Sequence, residues 1–117
     1  MYYAICCSSG TMEATLSTVF ARSEYFAVWD TETNDIRFES NPFKKLDEHV
    51  GDKVLGFLSD YKVSRVIAGS FGTLVQNRAQ ELNIQMIVFD QGDNKLTDIL
   101  DLLRHSSNLS GTPKRKN

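Results

Sequence analysis

The residues with the clearest potential for chemistry form a short loop that follows an apolar segment at positions 66–68. The loop consists of Gly69, Ser70, Phe71, Gly72 and Thr73. In open α/β sheets, ligands bind at the carboxyl ends of strands, where the first N–H groups of the next helix point outward. The two glycines would let a ligand approach the backbone closely, and the hydroxyl groups add hydrogen-bonding capacity. The alternative is a tight turn in which Ser70 or Thr73 only caps the helix. The residues alone leave both interpretations open.

A second loop of small residues follows the first apolar segment, at positions 2–7, and consists of Ser8, Ser9 and Gly10. If the two apolar segments form parallel strands, both loops lie at the same edge of the sheet. We therefore expect the two loops to form opposite walls of one ligand pocket.

Arg22 and His49 are the other candidate binding residues. Arg22 could reach an anion at this edge with its forked donors, and the alternative is a surface arginine paired to Glu24. His49 lies on the first predicted helix and has no second ligand at i+3 or i+4, which makes it a weak metal motif. His105 ends the third predicted helix, where a positive charge favours the helix dipole, and this is a sufficient structural reason for it.

The only cysteines, Cys6 and Cys7, are neighbours on a predicted strand. Adjacent strand residues point to opposite faces, so a disulfide between them is sterically awkward. They also lack the C-x-x-C spacing of a zinc or redox site. We interpret them as small buried hydrophobic residues.

No catalytic arrangement is apparent in the sequence. There is no G-x-S-x-G motif and no cysteine with a convincing histidine base. The acidic residues are scattered, and Asp30 and Asp90, which end two predicted strands, are also common turn residues. The sequence favours a binding protein over an enzyme.

The spacing of apolar residues predicts five strands and three helices. The strands are predicted at 2–7, 25–30, 36–40, 65–68 and 84–89, and the helices at 42–61, 71–82 and 96–103. Asn41-Pro42 is typical of a helix start, and Asn83 of a left-handed residue that closes a helix. The order β-β-β-α-β-α-β-α predicts an α/β fold, in which helices cover a mixed five-stranded sheet with the strand 36–40 at its edge.

Composition limits the classes of protein further. The chain has 117 residues, of which 41% are hydrophobic and 24% charged, with a formal net charge of -2. This size predicts a single domain, at residues 1–104, with a flexible tail at 105–117 where the apolar spacing stops. The slightly acidic charge argues against nucleic acid as a partner. No segment approaches the length of a membrane span or of a signal peptide, so we expect a cytoplasmic protein with no membrane partner.

Several motifs, taken in order, resemble the dinitrogenase iron–molybdenum cofactor biosynthesis family. They are Phe20-Ala21-Arg22-Ser23-Glu24-Tyr25-Phe26 followed by Ala27-Val28-Trp29-Asp30, then Asn41-Pro42, His49-Val50-Gly51, Val66-Ile67-Ala68-Gly69-Ser70-Phe71-Gly72 and Leu82-Asn83-Ile84. The resemblance covers about residues 2 to 104. It implies a ribonuclease H-like three-layer α/β/α fold. Ala21 replaces the first glycine of the family motif, and Val19 stands where many relatives have a histidine or another polar residue.

Three functions remain open from the sequence. The resemblance implies a non-enzymatic accessory protein that carries an iron–molybdenum or iron–sulfur cluster, or another anionic cofactor. The two loops and Arg22 would bind the cofactor, and His49 or a cysteine would supply one exchangeable ligand. The alternative is an interaction or regulatory module, acting on a protein partner or as a homodimer through the edge strand 36–40. A hydrolase on the same fold is the third, and it would need Asp30 and Asp90 to lie together.

Overall fold

A computed structural model of the chain describes residues 1–46, 49–89 and 94–110, with side chains up to 105. Its strands are β1 (Tyr2–Cys7), β2 (Tyr25–Asp30), β3 (Ile36–Ser40), β4 (Val63–Ala68) and β5 (Gln85–Val88), and its helices are α1 (Val50–Asp60), α2 (Thr73–Glu81) and α3 (Leu96–Ser110). The order β-β-β-α-β-α-β-α predicted from the sequence is confirmed.

The five strands form one mixed sheet in the order β3-β2-β1-β4-β5. β2 is antiparallel to both of its neighbours, whereas β1 and β4, and then β4 and β5, are parallel. Only β2 therefore runs against the other four strands. This confirms the predicted mixed sheet, the parallel pairing of β1 with β4 and the edge position of β3.

The central strand β1 separates two layers of core. Ala4 and Cys6 pack with buried residues of α1 and α2, whereas Tyr3, Ile5 and Cys7 pack with buried residues of α3. This alternation follows from the two-residue period of a strand. It gives the three-layer α/β/α architecture that the family resemblance implies.

α1 begins at Val50 and not near residue 42, so the predicted start of this helix is wrong. Asn41 makes a turn, because its Oδ1 accepts the Phe43 N–H at 3.0 Å, and residues 42–45 continue as turns. His49 has a φ of 57°. A left-handed residue cannot continue a right-handed helix, so α1 cannot extend back through it.

The other helix ends differ less from the predictions. Asn83 has a φ of 60°, which confirms the predicted left-handed residue after α2. α3 continues to Ser110, beyond the predicted end at about 103, because a helix once formed adds residues at little cost. The rest of the predicted tail, 111–117, lies outside the described residues. Within the part of the chain that is described, no helix has both the length and the apolar character that a bilayer crossing requires.

Candidate functional site

The directions of the strands bring the predicted site residues to one edge of the sheet. β1, β3, β4 and β5 run the same way, so they all end at this edge, which we call the carboxyl edge. α1 follows β3 and α2 follows β4, so both helices also begin near the carboxyl edge. Because β2 runs in the other direction, Asp30 at its end lies at the opposite end of the strands from the carboxyl edge.

A segment of the chain lies between the two loops that were expected to face each other. We call residues 15–18 the crossing segment. The Ser17 N–H donates to the Cys6 carbonyl at 2.8 Å, and the Ser17 carbonyl accepts the Gly69 N–H at 3.0 Å. The crossing segment thus fills the space between the ends of β1 and β4, so the two loops are not opposite walls of one open pocket. This contact joins residues far apart in sequence, and local patterns give no sign of it.

Ser8, Ser9 and Gly10 contact residues 11–15 and the first residue of β2. The Ser8 hydroxyl accepts the Thr15 N–H at 3.0 Å, and the Ser9 and Thr11 hydroxyls lie 3.2 Å apart. Gly10 lies beside the ring of Tyr25, where an added Cβ would be 3.1 Å from Cε2. A ligand role for these three residues stays a prediction.

The loop 69–73 packs against the crossing segment. The Ser70 hydroxyl donates to the Thr18 carbonyl at 2.9 Å. Phe71 packs on Phe20, with ring centroids 5.3 Å apart. Neither Ser70 nor Thr73 caps α2, because Gly72 is the N-cap residue and makes no side-chain hydrogen bond there. The capping alternative considered above is therefore wrong. The Thr18 backbone lies so close to residue 69 that only a glycine fits there without a steric clash.

Arg22 holds the turn region that precedes α1. Its Nη1 donates to the Lys44 carbonyl at 2.9 Å and to the Leu46 carbonyl at 2.6 Å. Glu24 pairs with Lys44 and not with Arg22. Neither sequence interpretation included this role, and anion binding by Arg22 stays a prediction.

His49 lines a cavity of about 580 Å³ between α1 and α2. We call this cavity the α1–α2 pocket. Its walls are His49 with the first turn of α1, residues 50–52, and Leu74, Val75 and Arg78 of α2. The pocket therefore joins one predicted site residue to the helix that follows the loop 69–73.

The first turns of both helices leave backbone donors beside this pocket. The Lys53 N–H donates to the His49 carbonyl and the Gln76 N–H to the Gly72 carbonyl, both at 3.1 Å. The three N–H groups before each of these bonds have no acceptor within their own helix. Neither N-cap residue supplies a side-chain hydrogen bond. Because residues 50–52 of α1 and Leu74 and Val75 of α2 line the pocket, the positive ends of both helix dipoles lie beside it.

The charged residues that line the pocket, Asp52 and Arg78, are ion-paired with each other, and Arg78 also pairs with Glu81. Arg78 Nε lies 2.8 Å from Asp52 Oδ1, and Arg78 Nη1 lies 2.9 Å from Glu81 Oε1. Both pairs are solvent-exposed, so they contribute little to stability. Their effect is to hold the Arg78 guanidinium beside the pocket.

The sequence did not identify the α2 wall of the pocket. The apolar spacing of the helix predicted at 71–82 includes Leu74 and predicts that it is buried, but Leu74 is 83% exposed. Gly51 gave the available signal, because a glycine inside an amphipathic helix often marks a close approach. An added Cβ at Gly51 would lie 2.3 Å from Val75 Cγ2.

We expect Gly51→Ala to lower the free energy of unfolding by about 2 kcal/mol, because the β-branched Val75 cannot rotate freely out of the way. Adding Val75→Ala should recover part of this loss, although Val75→Ala alone destabilises. Urea unfolding of the two single variants and the double variant gives the coupling energy. Strictly additive effects would show that the two side chains do not meet.

Cys6 and Cys7 are both free and fully buried. Burial raises the pKa of the Cys6 thiol well above its ordinary value, and the neighbouring Cys7 adds to this. Burial also raises the pKa of Cys7 to about 11, although hydrogen bonds to backbone groups oppose the shift. The thiolate is the form that ligates metals, so these cysteines are poorly suited to supply an exchangeable ligand.

We expect iodoacetamide at pH 8 to label both cysteines at least about 100-fold more slowly in the folded protein than in denaturant, because both are buried and protonated. Mass spectrometry of quenched samples measures the two rates. Labelling of either cysteine in the folded protein at the denatured rate would contradict this description of the core.

The described residues contain no group of three or more His, Cys, Asp or Glu side chains suited to hold a metal ion. Asp30 is engaged in a turn, where its Oδ1 accepts the Glu32 N–H at 2.9 Å. That hydrogen bond is the main cause of its lowered pKa. Asp90 lies outside the described residues.

The three-layer fold and a pocket between two helix N-termini define a small α/β protein of the ribonuclease H-like class. A family model described as "Dinitrogenase iron-molybdenum cofactor" matches residues 1–105, and the chain belongs to this family. The fold and the family together are those of a small cofactor-related accessory protein. No curated protein matches the sequence.

Solved structures that share the fold include three with TM-scores of 0.75 to 0.77. The apo form of the orange protein from Desulfovibrio gigas has a TM-score of 0.77 at 16% identity, covering 99% of this chain and 93% of that one. A putative NifB protein from Thermotoga has a TM-score of 0.76 at 22% identity, covering 99% and 98%. The crystal structure of PH0822 has a TM-score of 0.75 at 20% identity, covering 91% and 90%. At these identities the likeness concerns the fold.

Proposed function

We propose that this protein is a non-enzymatic carrier that binds an anionic metal cluster reversibly in the α1–α2 pocket. The observation that supports this most is the meeting, at one cavity lined by His49, of two helix N-termini without side-chain caps. The family description points to an iron–molybdenum cofactor as the kind of cargo. An iron–sulfur cluster likewise presents bridging sulfides at its surface.

The pocket would bind such a cargo mainly through the backbone donors of the two helices. The free N–H groups of the first turns of α1 and α2 would donate hydrogen bonds to the negatively charged sulfides at the cluster surface. Arg78 would contact the cargo only by exchanging its ion pair with Asp52 or Glu81 for one with the cluster. The His49 imidazole would then supply a single exchangeable ligand to a metal atom. Few protein ligands suit a carrier, because the cargo must also leave.

The backbone of His49 supports a functional role for this residue. It is exposed and has a φ of 57°, a conformation that costs a residue with a Cβ roughly 1–2 kcal/mol. Strained residues of this kind concentrate at binding sites. Asparagine tolerates the left-handed conformation well, so His49→Asn removes the imidazole and retains the local fold.

The test is retention of a cluster by the full-length protein. Isolated iron–molybdenum cofactor, or a synthetic [4Fe–4S] cluster in a parallel experiment, is mixed anaerobically with the protein and passed through a desalting column. We expect wild type to retain metal and visible absorption, and His49→Asn to retain at least tenfold less. His105→Asn, which removes the other imidazole, is the matched control and should behave as wild type. Wild type that retains neither cluster would overturn the proposal.

A further inference from the structure

The two outer strands of the sheet, β3 and β5, differ in their charge. The outer strand β3 carries Arg37 and Glu39, whose side chains pair at 2.7 Å. The outer strand β5, at the other end of the sheet, is Gln85-Met86-Ile87-Val88 and has no charged residue and no proline. Proteins commonly protect a sheet edge with charges or proline. β5 has neither protection.

The surface beside β5 is also uncharged. A cavity of about 450 Å³ lies between this strand and α2. Its lining includes the amides Gln76, Asn77 and Gln80 and the apolar Met86 and Val88, and none of its lining residues is charged. The lining of the α1–α2 pocket, by contrast, includes Asp52 and Arg78.

The backbone of β5 leaves hydrogen-bonding groups at its open side. The Phe89 N–H donates to the Ala68 carbonyl at 3.0 Å, so the backbone groups of Phe89 face β4. Backbone groups alternate along a strand, and those of Ile87 therefore face β4 while those of Met86 and Val88 face outward. Among the described residues, β5 pairs with β4 alone.

We propose that β5 pairs antiparallel with β5 of a second copy of this chain, around a two-fold axis at Ile87. Met86 then lies opposite Val88 of the partner subunit and exchanges both backbone hydrogen bonds with it. By symmetry, Val88 does the same with the partner's Met86. Four hydrogen bonds join the two sheets into one of ten strands.

The occupant is a second copy because the edge is complementary to itself. A neutral strand meets its own copy with no repulsion between like charges, which an isologous contact requires. Val88 is 54% exposed in the single chain, and the pairing places it against the partly exposed Met86. The pairing leaves the α1–α2 pocket open, because that pocket lies on the other side of α2.

Amide exchange tests this pairing without a mutation. Wild type is compared at about 10 µM and about 1 mM, since mass action favours a dimer at high concentration. We expect exchange at Met86 and Val88 to slow at least tenfold at the higher concentration, and light scattering to show twice the monomer mass. Ile87, whose amide faces β4, should exchange slowly at both concentrations. Unchanged exchange at Met86 and Val88, or a monomer throughout, would overturn the proposal.

Two charge variants distinguish the edges. Val88→Lys adds a charge to β5 and should weaken the dimer at least tenfold. Ser40→Lys adds the same charge to the exposed end of β3 and should leave the dimer unchanged. Circular dichroism checks that both variants fold. If Val88→Lys does not fold, the amide-exchange experiment on wild type tests the proposal by itself. A dimer that persists in folded Val88→Lys and is lost in Ser40→Lys would overturn the assignment to β5.

Discussion

We expect Asn41→Asp to lower the free energy of unfolding by about 4 kcal/mol at neutral pH, since it buries a charge without a partner. Asn41 is only 2% exposed. Its Nδ2 donates to the Ala21 carbonyl at 3.1 Å and to the Ser23 carbonyl at 2.9 Å. A carboxylate in this place turns a donor into a negative group that faces two carbonyl oxygens. The turn before α1 would then separate from residues 20–23.

The loss from Asn41→Asp should depend on pH. Burial and the two carbonyl groups disfavour the charged form, so the folded-state pKa of the new carboxyl rises above its unfolded value of about 4. The folded state then binds more protons than the unfolded state between these two pKa values. Stability relative to wild type therefore falls as pH rises through this window, and it is partly regained below pH 4.

Urea unfolding of Asn41→Asp and wild type at a series of pH values measures this effect. Asn77→Asp is the matched control, because Asn77 is exposed on α2, and it should change stability by less than about 0.5 kcal/mol. A loss at Asn41 that stays the same at every pH would contradict the hydrogen bonds assigned to its amide nitrogen.

The second large effect concerns the crossing segment. We expect Gly69→Ala to lower the free energy of unfolding by about 3 kcal/mol, at the upper end for overpacking. An added Cβ would lie 2.7 Å from the Thr18 carbonyl oxygen and 2.9 Å from the Thr18 Cα. These are backbone atoms, so no side-chain rotation can relieve the contact. The crossing segment itself would have to move away from β4.

Gly72→Ala is the control for the same loop. No atom lies within 4 Å of an added Cβ there, and the φ of −73° suits any residue. The cost should be at most about 1 kcal/mol, from a poorer N-cap residue. Thermal unfolding of the two variants gives the comparison. Equal losses at both positions would indicate that Thr18 does not cover Gly69.

The sheet could be predicted from the sequence because strand signals are local. The apolar run of β1 and the alternation in β3 depend only on neighbouring residues. The first and last residues of both strands were therefore predicted correctly. The start of α1 could not be predicted, since Asn41-Pro42 favours a turn and a helix start alike. The outcome depends on distant contacts, among them the hydrogen bonds from Arg22 to the carbonyls of Lys44 and Leu46.

The candidate site was only partly predictable for a related reason. The sequence indicated the carboxyl edge and His49. It gave no sign that residues 15–18 fill the space between β1 and β4, because that segment has no regular spacing of its own. The meeting of α1 with α2 depends on how two helices cross. Gly51 marks this crossing, but its neighbour Val75 is known only from the fold.

The most direct measurement of the central claim locates the cargo on the protein. Iron–molybdenum cofactor has unpaired electrons, which broaden the amide signals of nearby residues in NMR spectra. We expect anaerobic addition of the cofactor to weaken the signals of His49, Gly51, Leu74 and Val75, and to leave those of Ser8–Gly10 unchanged. Broadening centred on Ser8–Gly10, or no broadening anywhere, would contradict binding in the α1–α2 pocket.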